Sequence, residues 1–115
     1  MKTWGKTSLN INEREGIERA IALLTKSFPI NSVILFGSKA RGDSDPHSDI
    51  DLLIICNGQL NWKQEKSIVE MLFDIGIEYD IIFSPLFTNV NEWEQGLFKE
   101  FPIYDEIVND GALVQ

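Results

Sequence analysis

A chain of 115 residues that is 43% hydrophobic and 24% charged can fill one core, and no linker or low-complexity tract divides it, so one domain over residues 1–115 is expected. A formal charge of -8 argues against a broad phosphate-backbone surface, which needs clustered Lys and Arg, so nucleic acid is not expected as the main partner. The opening Met1 to Asn12 has no long apolar run and reads as neither signal peptide nor membrane span; no membrane association and a cytoplasmic location are the expectations.

In chain order, Asn10 to Phe28 carries Ile17, Ala20, Ile21, Leu24 and Phe28 at helical spacing, with Asn10 and Glu13 placed as a capping pair. Pro29 ends that amphipathic helix. The short branched run Ser32 to Phe36 predicts a buried strand that stops at Gly37-Ser38. Gly37 to Ser48 mixes Gly, Ser, Asp and Pro with Lys39 and Arg41, which predicts a tight turn or single helical turn followed by a loop through Asp45-Pro46-His47.

Asp49 to Cys56 predicts a second strand, acidic at its start and apolar on both faces afterwards, as a central strand is. Asn61 and Gln64 resemble a cap for a helix from Trp62 to about Ile75, which Gly76 should stop. A third strand is expected over Ile77 to Phe83, ended by Ser84-Pro85. One or two short helices split at Pro102 should follow, then a tail Ala112-Leu113-Val114. The order predicts an α/β (α+β) fold, a sheet with helices packed mainly on one face; a mixed β-sheet is the expected form, though the pattern alone does not fix strand direction. Core packing is expected for at least two of Trp4, Trp62 and Trp93, with an interface anchor as the other use of an exposed tryptophan.

The chemistry concentrates at the start of the second strand. Residues two apart on a strand share a side, so Asp49 and Asp51 present two carboxylates together, and two anions that close call for a cation. Hard oxygen donors suit Mg²⁺ or Mn²⁺, while the single His47 and single Cys56 cannot make a zinc set. Cys56, between apolar neighbours, is expected to be a buried structural thiol. Asp80 lies in the expected third strand; if that strand is beside the second, Asp80 completes a cluster of three carboxylates suited to two metal ions, with Glu78 as its rival on the same face. Gly37 and Ser38 can turn backbone N–H groups and a hydroxyl toward phosphate oxygens, and Lys39 and Arg41 add positive charge.

Written out, Gly37-Ser38, ten residues, then Asp49-Ile50-Asp51 resembles the G-S-x10-D-x-D signature of the nucleotidyltransferase superfamily that includes DNA polymerase β, especially its minimal branch. The surrounding GSKARGDSDPHSDIDLLI is similar to that branch along its length, including Arg41-Gly42 and Ser48 before the first Asp. Lys39 stands where the family often has Arg.

The resemblance implies that Asp49, Asp51 and Asp80 are catalytic and hold two Mg²⁺ ions, while Gly37, Ser38, Lys39, Arg41 and Ser48 bind ATP. It implies AMP transfer to a hydroxyl of a partner protein, a HEPN-family toxin for which the chain is the antitoxin. The alternatives are transfer to a small hydroxylated molecule such as an aminoglycoside, for which a homo-oligomer would build the cleft, and an antitoxin that acts by binding alone.

Overall fold

A computed structural model describes residues 1–4, 7, 9–43 and 45–115. Its elements are β1 (Lys2–Thr3), α1 (Ile11–Ser27), β2 (Ile30–Phe36), α2 (Gly37–Arg41), β3 (Ile50–Cys56), α3 (Trp62–Tyr79), β4 (Phe83–Asn89), α4 (Val90–Glu94), a 3-10 turn (Leu97–Glu100), α5 (Pro102–Asp110) and β5 (Ala112–Leu113). The sheet runs in the order β1-β5-β2-β3-β4. It is mixed: β3 is antiparallel to β2 and parallel to β4, while β5 is antiparallel to β2 and parallel to β1.

Local chemistry sets the two long helices. Asn10 accepts from the Glu13 N–H at 2.8 Å while Glu13 accepts from the Asn10 N–H at 2.9 Å, a closed capping box at the start of α1. Asn61 and Gln64 repeat the arrangement at α3. Both helices lay apolar stripes on one sheet face, where Ile17 and Ile21 meet Val33, Leu35, Ile50 and Leu52, and Ile68, Leu72 and Ile75 meet Ile54 and Cys56. The opposite face, with Ile34, Phe36, Leu53 and Ile55, is closed by Phe98 of the 3-10 turn and Ile107 of α5. The long helices therefore share one face as expected, and short ones cover the other. Trp4 and Trp93 pack against the core, whereas Trp62 is exposed.

The expected third strand is displaced. Ile77 to Tyr79 continue α3, and β4 begins at Phe83, where the strand was expected to end. Gly76 does not stop α3; it lets the following chain approach the helix, since a Cβ there would lie 2.5 Å from the Ile81 carbonyl oxygen. The Gly76 carbonyl instead accepts from the Ile81 N–H at 2.9 Å, and Asp80 turns the chain in the left-handed region at φ 56°. Pro85 lies inside β4, which is tolerated because β4 is the last strand in the sheet and one side of it needs no donor. The C-terminal tail is likewise a strand, with Ala112 opposite Leu35 and Leu113 opposite Ile34.

Candidate active site

Two strand ends and one turn build the site. Asp49 immediately precedes β3 and Asp51 lies within it. By strand alternation Asp51 faces the same side as Leu53 and Ile55, toward α5. Phe36, the last residue of β2, is paired with Asp51 across the sheet, so the following residue, Gly37, arrives against the carboxylate. A Cβ on Gly37 would stand 2.2 Å from Asp51 Oδ2, and Gly37 has φ +73°. Glycine is required there on both counts. The motif spacing thus corresponds to a physical contact between the turn and the second aspartate.

Burial, and then the charge of Asp49, push the Asp51 carboxyl above its usual range; Arg41 opposes the shift and Glu106 adds to it. Asp49 is exposed and Asp51 half-buried, a mouth with negative charge concentrated at its floor. Two hard carboxylates, the second made costlier to ionise by the first, fit a divalent cation. Asp80 is not brought to them. It is exposed at the C-terminal cap of α3, and Glu78 is exposed, lining a groove with Arg19 between α1 and α3. Among the described residues no group of three or more His, Cys, Asp or Glu side chains is gathered to hold a metal. Asp49 and Asp51 could hold a divalent ion, whereas Asp80, expected in a strand beside them, lies at the end of a helix. The β4 residue in register with Asp51 is Ser84.

The basic residues divide. Arg41 remains at the mouth, with its Nη1 3.1 Å from Glu106 and its Nε 3.2 Å from Asp43. Both pairs are solvent-exposed and cost little to exchange for phosphate. Lys39, expected near the triphosphate, is 3% exposed and ion-paired with Glu13 of α1, and its Nζ also donates to the Asp45 carbonyl at 3.2 Å. Its side chain is structural. Ser48 Oγ accepts from the Asp45 N–H at 3.1 Å, and Asp45 Oδ1 accepts from the His47 N–H at 2.8 Å, so the loop leading to Asp49 is held by its own side chains. Ser38 lies in the first turn of α2, where its carbonyl accepts from the N–H groups of Gly42 and Asp43.

Sequence reasoning did not find Glu106, which reaches the mouth because its neighbour Ile107 is fully buried against β2 and β3. The amphipathic spacing of α5 was the available signal. An open cleft of about 310 Å³, lined by Cys56, Glu65, Phe87 and Glu92, lies at the other end of β3, away from Asp49 and Asp51. Cys56 is buried there, and burial raises its thiol pKa, as suits a structural cysteine.

A turn that presses glycine against the second aspartate of an Asp-x-Asp strand, in a mixed sheet backed by two helices, defines a nucleotidyltransferase, and the chain belongs to the family described as Polymerase beta, Nucleotidyltransferase, which it matches over residues 18–100. Among known proteins, it is similar to two provisionally named protein adenylyltransferases of Methanocaldococcus jannaschii. It is 40% identical to MJ0141 over 57 residues, covering 50% of this chain and 58% of that protein. It is 27% identical to MJ0604 over 78 residues, covering 66% of this chain and 73% of that protein. The matched stretch spans little more than half the length of the first relative. No helix among the described residues is long and apolar enough to cross a membrane.

The Gly37 contact makes a direct prediction. Gly37→Ala is expected to lower stability by about 1–3 kcal/mol, read as a lower urea midpoint, because the left-handed backbone and the carboxylate both resist a Cβ. Displacement of Asp51 should lower nucleotidyl transfer about 100-fold.

Proposed function

We propose that the chain transfers AMP from ATP to a hydroxyl of a partner protein, and that the partner is a HEPN-family toxin whose activity the modification blocks in the cytoplasm. The observation that carries the reading is the Asp49-Asp51 pair against the Gly37 turn. Family membership supports the reaction class, and the names of the two relatives support a protein acceptor.

In this mechanism the acceptor oxygen bonds to the α-phosphorus of ATP as the bond from that phosphorus to the bridging oxygen breaks, so pyrophosphate leaves and the hydroxyl proton passes to solvent. Asp49 and Asp51 would hold a divalent ion, Mg²⁺ or Mn²⁺, which when bound would offset triphosphate charge and lower the pKa of the acceptor hydroxyl. Gly37 and Ser38 position the phosphates, glycine by permitting close approach. Arg41 exchanges its carboxylate partners for phosphate oxygens, and Ser48 keeps the loop before Asp49 in place. Asp80 joins the site only if the Asp80–Ile82 segment moves from its helix cap, and Glu78 only if the last turn of α3 unwinds.

That separation favours one second reading, an antitoxin that binds its partner without transferring anything. Incubating the purified chain with α-labelled ATP, Mg²⁺ and a co-expressed HEPN partner separates the two. The first reading expects label and a mass increase of one or more AMP units on the partner. Neutralisation of the partner without label, surviving Asp49→Asn, would leave only the second. Label on an aminoglycoside instead of protein would move the acceptor to small molecules.

A further inference from the structure

α3 presents two faces. Ile68, Leu72 and Ile75 are buried against the sheet, yet the side away from it also carries large apolar residues: Trp62 is 67% exposed, Val69 46%, Phe73 68% and Ile77 67%. At helical spacing these four fall in one stripe with Lys66 along the whole element. Single exposed hydrophobics need no explanation, but a continuous stripe on one helix marks a contact surface.

The charges beside the stripe say what covers it. Lys63 and Lys66 lie at the N-terminal end of α3, while Glu70, Asp74 and Glu78 lie toward its C-terminal end, all exposed and on the same flank, where the three acids also border the groove that holds Arg19 of α1. This is the reverse of what the helix dipole favours, since its N-terminus attracts acidic groups and its C-terminus basic ones. Within the helix the arrangement is relieved by one exposed pair, Lys66 with Glu70 at 3.8 Å. A lysine-first, acid-last helix is complementary to its own reverse.

We propose that the outer face of α3 is a homodimer interface, in which a second copy of this chain packs its α3 antiparallel across a two-fold axis near Val69. A two-fold contact is isologous, so each residue meets its reciprocal. Trp62 of one copy lies against Ile77 of the other, Lys66 against Phe73, and Val69 against Val69. The rotation keeps the charged flanks on the same side, so Lys63 and Lys66 of each copy face Asp74 and Glu78 of the other, and the antiparallel helix dipoles add to the attraction. Asp51 looks out from the opposite sheet face, so both candidate active sites stay open in the dimer. The interface depends on no assumption about the reaction.

The test is sedimentation equilibrium of the full chain across a dilution series, with two charge-reversed variants, K63E/K66E and D74K/E78K. The wild type is expected to be a dimer that dissociates on dilution. Each variant alone is expected to dissociate at a concentration about tenfold higher or more, since one makes both ends of α3 acidic and the other makes both basic. An equimolar mixture of the two should recover wild-type association, because the reversed ends match again. Val69→Cys is expected to give a disulfide-linked dimer on mild oxidation. A monomer at every attainable concentration overturns the proposal, and so does a dimer indifferent to both reversals, a mixture no tighter than its components, or a stripe that captures a different basic protein while the chain alone stays monomeric. Circular dichroism of each variant shows that loss of association is not loss of fold.

Discussion

Asp51→Asn is expected to reduce the proposed AMP transfer at least about 1,000-fold and to leave the protein as stable as the wild type or more so. Loss of activity alone would fit any damaging substitution; the combination is diagnostic. Asp51 is half-buried, paired in β3 with Phe36, and close to Asp49, and burial with that neighbour raises its carboxyl pKa. The folded protein therefore retains the Asp51 proton to a higher pH than the unfolded chain does. Stability contributed by this group is greatest at low pH and falls as pH rises from the ordinary carboxyl range at 3.8 through the raised folded value, then levels off. The Asp51→Asn variant, with no proton to lose, should not show the fall.

The same residue makes divalent-ion binding testable without a turnover assay. An ion held between Asp49 and Asp51 binds the folded state alone and should raise the melting temperature in proportion to the logarithm of its concentration. Mg²⁺ or Mn²⁺ is expected to stabilise the wild type and to have little effect on Asp49→Asn or Asp51→Asn. Equal stabilisation of all three proteins would place the ion elsewhere. Unchanged transfer by either variant would remove the carboxylate pair from the reaction.

What the sequence made legible was local. The Asn10-Glu13 box, the branched run before Gly37 and the apolar stretch after Asp51 each carry their signal within a few residues, and α1, β2 and β3 formed there. The contact between Gly37 and Asp51 was implicit in the motif spacing, since an antiparallel β2–β3 pair returns the chain to its starting end. The segment after Ile75 was different. Ile77, Ile81 and Ile82 are branched and read as a strand, but Tyr79 continues the buried stripe of Ile68, Leu72 and Ile75, and packing took the helix to its end. That extension removed Asp80 from the sheet. The two-residue strands β1 and β5 are paired with each other, and β5 with β2, across nearly the whole chain, and nothing local announces such contacts.

Lys39 is the sharpest case of a residue whose neighbours in sequence mislead, and its replacement should show it. Lys39→Met is expected to lower stability by about 3 kcal/mol, the lower end of the range for breaking a buried ion pair, and the melting temperature by more than about 10 °C. The side chain is 3% exposed, and removing its charge leaves the Glu13 carboxylate buried with, among the described residues, only the Asn10 N–H as partner. A phosphate-binding lysine at a solvent-facing mouth would lose activity and almost no stability. Glu13→Gln keeps an acceptor for the capping box while deleting the charge, so Glu13→Gln with Lys39→Met should recover part of the loss. Activity should return less fully than stability, because Lys39 also holds the Asp45 carbonyl, and without that bond the loop delivering Asp49 keeps only its internal hydrogen bonds. Urea midpoints of the two single variants and the double variant give the coupling between Glu13 and Lys39. A coupling near zero would mean that the pair does not hold α1 to the loop.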